Sequence, residues 1–237
     1  KTECEISACL VGSEMCIRDR SRGNVYYFAG DYERAQADYL RGFAAAESVQ
    51  DASNQAGLLN ELGTLYKRQG DLEASRDYYQ RALDLSLAAG DSSEVANSQN
   101  NLGIVYDRLG DTAEAMRLYR TSADIKEALG DLNGLSYNLD NMGIVSSRLG
   151  EFAAAEGYFA RAASIREELG DRRGYGIILN NQGEMYLAQG RSAAARGKFE
   201  DALAIARETD FSDFERHILG QIALTFEEQN DFRSALG

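Results

Sequence analysis

The sequence repeats itself at a fixed step of 40 residues, and no other feature constrains its fold as strongly. Residues 100–106 read Asn-Asn-Leu-Gly-Ile-Val-Tyr and are followed by Leu109-Gly110-Asp111. The same pattern returns in residues 60–66, 140–145 and 180–186, with few changes. Self-similarity at a period between 20 and 50 residues indicates a solenoid of stacked supersecondary units.

The composition favours a chain that is nearly all helix. It contains no proline, although an average usage of ~5% would give roughly a dozen, and proline interrupts helix interiors. The net charge of −13 argues against nucleic acid or an anionic membrane as a partner, because both need a basic face. No apolar run approaches the ~20 residues of a membrane-spanning helix.

The first 20 residues stand apart from the repeat. They hold all three cysteines, Cys4, Cys9 and Cys16, at spacings that match neither a disulfide framework nor a zinc site. Residues 12–20 resemble the translated read-through of a sequencing adapter, and the apolar columns begin only near Gly23. We therefore expect residues 1–20 to be a non-native leader.

Each 40-residue unit is predicted to form two antiparallel helices. In the second unit, helix A is expected from Asn54 to Gln69 and helix B from Leu72 to Ala88. Gly70 suits a left-handed helix end, and Asp71 suits the N-cap of the helix that follows. The same junction recurs at 90–91, 130–131 and 170–171, and residues 91–94 have capping-box spacing.

Apolar and small residues recur in columns that predict the core. On helix A, Leu59, Leu62, Gly63 and Tyr66 form one helical stripe. On helix B the columns are small, aromatic and small: Ser75/Ala115/Ala155/Ala195, Tyr79/Tyr119/Phe159/Phe199 and Ala82/Ser122/Ala162/Ala202. The small residues should let the two helices approach closely, with the aromatic ring filling the space between them.

These columns resemble the tetratricopeptide repeat. The Leu-Gly-x-x-Tyr pattern and the small, aromatic and alanine positions that follow match, while the period is 40 rather than 34 and the usual proline near the end of helix B is missing. The 40-residue variant is most similar to Pins/LGN-type scaffolds and to bacterial signalling arrays. The resemblance implies an all-α, right-handed superhelical solenoid whose helices A line a concave, non-catalytic groove for peptides. The expected repeats are approximately residues 21–51, 52–91, 92–131, 132–171, 172–210 and a truncated 211–237.

The last unit departs from the pattern. Residues 209–214, Thr-Asp-Phe-Ser-Asp-Phe, replace the Leu-Gly-Asp junction, and Asn230 and Asp231 stand at the positions of the next junction. A solenoid needs a polar capping helix for solubility, and none follows. We therefore expect a fragment of a longer chain with an exposed apolar end, through which copies could stack end to end.

Helical geometry predicts which residues face the groove. At 100° per residue, Gly57, Glu61, Thr64 and Arg68 point away from the core stripe of the second unit. Carried along the array, this face contains an asparagine ladder and an arginine ladder, which suit an extended segment with acidic and apolar side chains. The predicted groove residues are Glu61, Arg68, Asn97, Asn101, Ile104, Arg108, Tyr137, Asn141, Ile144, Arg148, Asn181 and Glu184.

Two structural interpretations compete with a binding role. The asparagines could bond between neighbouring helices and fix the stacking. The arginines could pair with neighbours such as Asp71 and Asp111, or offset the dipoles of helix C-termini.

No catalytic constellation is apparent in the sequence. His217 is the only histidine, so a histidine-based triad or metal site lacks partners, and no glycine-rich phosphate loop occurs. We expect no enzyme activity, no cofactor and no metal.

The leading hypothesis is an interaction scaffold for a protein or peptide, by default cytoplasmic. The alternative is the regulatory or sensor region of a larger bacterial signalling protein whose output domain lies elsewhere. Neither nucleic acid nor a membrane is expected as a partner.

Overall fold

The protein is all-α. The computed structural model describes the backbone of residues 3–228 and the side chains of residues 15–226, and within that range it has eleven helices and no strand. They are α1 (Glu3–Phe28), α2 (Tyr32–Ser48), α3 (Ala52–Gln69), α4 (Leu72–Ala89), α5 (Ser92–Leu109), α6 (Thr112–Leu129), α7 (Leu132–Arg148), α8 (Phe152–Glu168), α9 (Arg172–Ala188), α10 (Ser192–Glu208) and α11 (Ser212–Glu228). None of these helices is long and apolar enough to cross a bilayer.

The helices form two compact units, one ending at Leu129 and the other beginning at Gly130. In the first unit α1 packs on α2, α3 on α4 and α5 on α6, and in the second α7 packs on α8 and α9 on α10. Because the connections are short, the paired helices run antiparallel, as predicted. Helices A of successive repeats also contact each other, α1 with α3, α3 with α5, and α7 with α9. This contact forms the layer on which the candidate site lies.

The predicted junctions are confirmed where glycine is followed by aspartate. Gly70 ends α3 with φ of 89°, and the carboxylate of Asp71 then accepts from the amide of Ala74 at 3.0 Å. The predicted capping box is only half formed: Asp91 accepts from the amide of Glu94, whereas the Glu94 carboxylate accepts from Asn60 of a neighbouring helix. The Glu94 carboxylate therefore binds Asn60 on the neighbouring helix instead of the backbone amide of Asp91, which the capping-box spacing predicts as its partner.

The predicted core columns are confirmed. The aromatic residues Tyr79, Tyr119, Phe159 and Phe199 are all buried, and each faces the helix A glycine of its own repeat. A Cβ atom added to Gly103 would lie 2.6 Å from the ring of Tyr119, and one added to Gly183 would lie 2.5 Å from the ring of Phe199. Only glycine leaves room for the ring at this separation, because protein interiors are close-packed.

Helix α1 extends through residues that we expected to lie outside the repeat. Cys16 is buried in the first core cluster. Asp19, which stands one period before Leu59, is buried and pairs with Arg22 at 3.0 Å and with Arg41 at 2.8 Å. These two arginines compensate a buried carboxylate at a position where four of the later repeats carry leucine and one carries Gln99. The origin of residues 1–20 and the repeat boundaries stay predictions.

Some sequence predictions fall outside the described part of the chain. The side chains of Cys4 and Cys9 are not among the described ones, and Asn230 and Asp231 of the predicted truncated repeat lie beyond residue 228. Before them, Asp210 takes the left-handed conformation, with φ of 51°, that glycine adopts at the other junctions except the one at Gln50, where φ is 56°. Aspartate tolerates this conformation better than most residues.

Candidate functional site

All twelve predicted groove residues lie on helices A. The first unit holds six of them on α3 and α5, and the second unit holds six on α7 and α9. Since α3 contacts α5 and α7 contacts α9, the predicted residues of each unit lie on neighbouring helices and make up two sets. The first set is Glu61, Arg68, Asn97, Asn101, Ile104 and Arg108; the second is Tyr137, Asn141, Ile144, Arg148, Asn181 and Glu184.

The first unit carries a polar pocket between α3 and α5. Its volume is about 210 Å³, and its lining is formed by Arg20, Asn60, Glu61, Thr64, Glu94, Asn97, Asn100 and Asn101. On one side, the guanidinium of Arg20 donates to the Glu61 carboxylate through Nη2 at 2.9 Å and Nε at 3.1 Å. On the other, Asn97 accepts from the buried ammonium of Lys126 at 2.6 Å. Both sides are thus anchored by charge-assisted bonds, which position a lining rich in carboxamides.

Two asparagines of this pocket differ in how their carboxamides are used. Asn60 is buried and donates to Glu94 and to Ser98, at 3.0 Å each, while Ser98 donates back to it at 3.2 Å. Asn101 is half-buried, and its carboxamide has no hydrogen-bond partner among the described residues. Asn60 therefore ties α3 to α5, whereas Asn101 presents both donors and an acceptor to the pocket.

The arginines of the first set do not pair with the carboxylates considered above. Arg68 is exposed and donates weakly to the hydroxyl of Tyr32 at 3.4 Å, and Arg108 is exposed without an ion pair in the described part of the chain. Burial, and secondarily the charge of Arg108, lowers the pKa of Lys67 to about 8. We call Lys67, Arg68 and Arg108 the cationic strip, since the charge of Arg108 acts on Lys67 and Arg68 is the next residue in the chain. The pairing interpretation therefore fails for Arg68 and Arg108, whereas their places in the last turns of α3 and α5 fit the dipole interpretation.

In the second unit, one of the predicted groove asparagines bonds to a neighbouring helix, as the stacking interpretation predicts. Asn181 of α9 donates to the carboxylate of Asp140 on α7 at 2.8 Å. Burial raises the pKa of Asp140 to about 6, against the opposing effects of this bond and of Arg166. Glu184 is also engaged, since it accepts from Asn180 at 3.0 Å and from Gln221 at 3.2 Å. Asn181 and Glu184 therefore have structural partners within the second unit.

The remaining members of the second set differ in exposure. Tyr137 is 56% exposed, and Arg148 is also exposed. Asn141 and Ile144 are half-buried. Tyr137 lies at the rim of a second pocket of about 240 Å³, lined by Tyr137, Asp140, Arg166, Asp171, Arg173, Gly174, Ile177, Ile178 and Phe211.

Sequence reasoning missed the cations at the end of helix B. Lys126 and Arg166 are one period apart, and both are buried, with 5% and 3% of their surfaces exposed. Each reaches helix A of its own repeat, Lys126 at Asn97 and Arg166 at Asn133 and the ring of Tyr137. The sequence does carry a sign of these buried cations. A long basic side chain stands in a helix B column that holds small residues in other repeats, Ser86 and Ala206.

Residues with metal-binding chemistry do not gather in the described structure. Within that range no three histidine, cysteine, aspartate or glutamate side chains are placed to share an ion. His217 is exposed and lies 3.7 Å from Glu184.

Comparison with known proteins identifies the repeat. The family model of the tetratricopeptide repeat matches residues 19–85, 54–128 and 135–208. No curated protein matches the chain. Among solved structures, the fold is similar to BtubC from P. vanneervenii, with 19% identity over 99% of this chain and 87% of that chain and a TM-score of 0.68.

Two further solved structures are similar to this chain. The apo form of RapI has 17% identity over 94% of this chain and 80% of that chain, with a TM-score of 0.75. A Rap protein complexed with competence and sporulation factor has 17% identity over 92% of this chain and 70% of that chain, with a TM-score of 0.72. At these identities the likeness concerns the fold alone.

Proposed function

This chain belongs to the tetratricopeptide repeat family of protein-interaction scaffolds, and we propose that it binds an extended peptide segment on the exposed faces of its helices A. The observation that carries the proposal is Asn101, whose carboxamide has no partner among the described residues although it lines the polar pocket. A carboxamide with two free donors and a free acceptor can bond both the C=O and the N–H of an extended backbone.

The neighbourhood of Asn101 supports a peptide as the ligand. Glu61, Asn97 and Asn101 line one polar pocket, and Ile104 lies one helical turn after Asn101 on the same helix. The cationic strip of Lys67, Arg68 and Arg108 provides charge for an acidic side chain, and arginine pairs with carboxylates in a bidentate geometry. Backbone bonds, an apolar contact and a charge contact together are what recognition of an extended segment needs.

The comparisons are consistent with this proposal at the level of the fold. A Rap protein of similar fold has been solved in complex with competence and sporulation factor. Because a similar fold does not show what this chain binds, the proposal depends on the chain's own residues, chiefly those of the first unit. The regulatory alternative and stacking of copies end to end stay predictions.

A peptide-array screen tests the proposal. The full chain is screened in parallel with Asn101→Ala/Arg108→Ala, since both residues lie on the solvent-facing side of α5 and lack partners in the described structure. We expect bound peptides whose signal falls at least about tenfold in the variant, because it loses the two hydrogen bonds of Asn101, worth ~0.5–1.5 kcal/mol each, and also the charge contact of Arg108.

The control variant is Asp107→Ala, a substitution on the same helix outside the pocket lining. It should keep the parent's peptide signal. An array on which the folded parent and Asn101→Ala/Arg108→Ala give the same pattern would contradict the proposal.

A further inference from the structure

The pocket of the second unit has apolar walls around a polar floor. Tyr137 and Ile177, with 56% and 37% of their surfaces exposed, stand at its opening, while Ile178 is buried behind them. Phe211 closes the side formed by the junction before α11, and the guanidinium of Arg173 lies over its ring at 5.2 Å. Exposed large apolar side chains grouped around a concavity indicate a place where an apolar group can be received.

Arg166 forms the floor and is incompletely satisfied. It is 97% buried, and its Nη1 donates to Asn133 and, at 2.8 Å, to Asp171. Its guanidinium carbon lies 4.2 Å from the centroid of the Tyr137 ring. The Nε–H group, however, has no hydrogen-bond partner among the described residues. A buried donor without a partner is unfavourable by ~1–3 kcal/mol, so an acceptor that reaches Nε would gain a hydrogen bond there.

The close contacts around the floor depend on Gly174. A Cβ atom at this position would lie 2.3 Å from Asp171 Oδ2 and 2.7 Å from Cδ of Arg166. The glycine therefore makes room for the Arg166–Asp171 pair, which anchors the guanidinium while leaving Nε–H unpartnered. The unsatisfied donor is thus held in place by two bonds and a ring contact.

The charges of the pocket balance. Arg166 and Arg173 contribute two positive charges, and Asp140 and Asp171 contribute two carboxylates. Asp171 is paired with Arg166, and Asp140 accepts from Asn181. Arg173 donates to the backbone carbonyl of Thr209 and has no ion pair among the described residues. Because the four charges sum to zero, a charged group entering this pocket would lose its hydration without a net countercharge to replace it. An uncharged group avoids that penalty.

We propose that this pocket receives one bulky uncharged side chain of the bound peptide, preferably aromatic, while a backbone carbonyl beside that side chain accepts from Nε of Arg166. The inference rests on the proposed function and adds a specificity to it. A cavity of about 150 Å³ holds benzene, so 240 Å³ accommodates an aromatic side chain with an adjoining peptide group. The second unit thus selects an apolar residue.

A minimal probe tests the pocket without knowledge of the peptide. N-acetyl-phenylalanine methylamide offers the aromatic ring and the carbonyl, and its aspartate and alanine counterparts serve as matched controls. Binding to the full chain is followed through the methyl resonances of Ile178, which lies inside the pocket. We expect saturable shifts with the phenylalanine probe, at an affinity at least about tenfold above that of the aspartate probe.

Two variants locate the binding. Ile177→Trp places a larger side chain in the opening and should abolish the shifts, whereas Leu169→Trp, an exposed position outside the pocket lining, should leave them unchanged. Arg166→Lys keeps a positive charge beside Asp171 but removes the Nε–H donor. This variant should weaken binding of the phenylalanine probe by about threefold to tenfold, while the three probes keep the same order of affinity.

The outcomes separate this inference from the proposed function. Peptides that bind the full chain with no dependence on an aromatic residue or on Ile177→Trp would overturn the pocket assignment and leave the proposed function standing. A phenylalanine probe that shifts Ile178, on a chain that binds no peptide, would support the pocket and overturn the proposed function. Equal affinity for the phenylalanine and aspartate probes would overturn the inference directly.

Discussion

Gly143→Ala tests the packing on which every repeat depends. Gly143 of α7 faces Phe159 of α8, and a Cβ atom there would lie 2.6 Å from Cε1, 2.7 Å from Cδ1 and 2.9 Å from Cζ of that ring. Phe159 has 1% of its surface exposed, so the ring has no open side toward which to move. The added methyl must therefore push apart two helices that are in contact along their length.

The magnitude follows from a comparison with Gly157 on α8. Gly157 is exposed, and a Cβ atom there would meet nothing within 4 Å. Both glycine-to-alanine changes gain about 1 kcal/mol of helix propensity, so this gain cancels when the variants are compared. Overpacking a filled core costs about 1–3 kcal/mol. We expect Gly157→Ala to exceed Gly143→Ala in free energy of unfolding by that amount.

The assay is urea unfolding of both variants, followed by circular dichroism at 222 nm. Phe159→Leu provides an internal check, because leucine removes the ring atoms that the new methyl would meet. Gly143→Ala/Phe159→Leu should be less destabilised than the sum of its single changes, by about 1 kcal/mol or more. Equal stabilities of Gly143→Ala and Gly157→Ala, or strict additivity with Phe159→Leu, would refute the packing argument.

Three further predictions concern buried polar groups. The pKa of Asp140 is raised to about 6, so the parent should lose stability as pH rises from about 4 to 6, and Asp140→Asn should be more stable at pH 7 by on the order of 1–2 kcal/mol. A flat difference between the two across this pH range would contradict the assignment. The lowered pKa of Lys67, about 8, means that the unfolded chain keeps its proton to higher pH. The parent should therefore gain stability between pH 8 and 10, and Lys67→Met should remove that gain, as denaturant titrations at several pH values would show. Asn60→Ala should lower the free energy of unfolding by ~1–3 kcal/mol, because Ser98 and Glu94 lose their buried partner; an unchanged urea midpoint would argue against this network.

The repeat architecture could be predicted because its determinants are local and recur. Gly70 followed by Asp71 specifies a left-handed end and an N-cap from two adjacent residues, whatever the rest of the chain does. The glycine of helix A and the aromatic of helix B then recur at a fixed spacing, which reveals their contact. Within each unit, the faces carrying Asn101 and Tyr137 follow from the same helical periodicity.

The contacts between repeats could not be predicted, because they depend on how far one helix is displaced along another. Asn101 and Asn181 occupy the same column, yet one has no partner in the described structure and the other bonds to Asp140. Arg166 was missed for a related reason. Its partners lie on two other elements, at Asn133 and Asp171, and no spacing within its own helix indicates them. Glu94 likewise bonds to Asn60, although its position predicts a capping box.

The most direct test of the central claim is the affinity of one array-selected peptide, measured by fluorescence anisotropy against two asparagine variants whose stabilities are recorded alongside. Asn60→Ala removes a carboxamide used inside the protein, and Asn101→Ala removes one that is presented to the pocket. If helices A bind the peptide as proposed, Asn101→Ala should weaken binding about tenfold with its urea midpoint unchanged, while Asn60→Ala lowers the midpoint. Undiminished affinity of Asn101→Ala for the peptide would contradict the account.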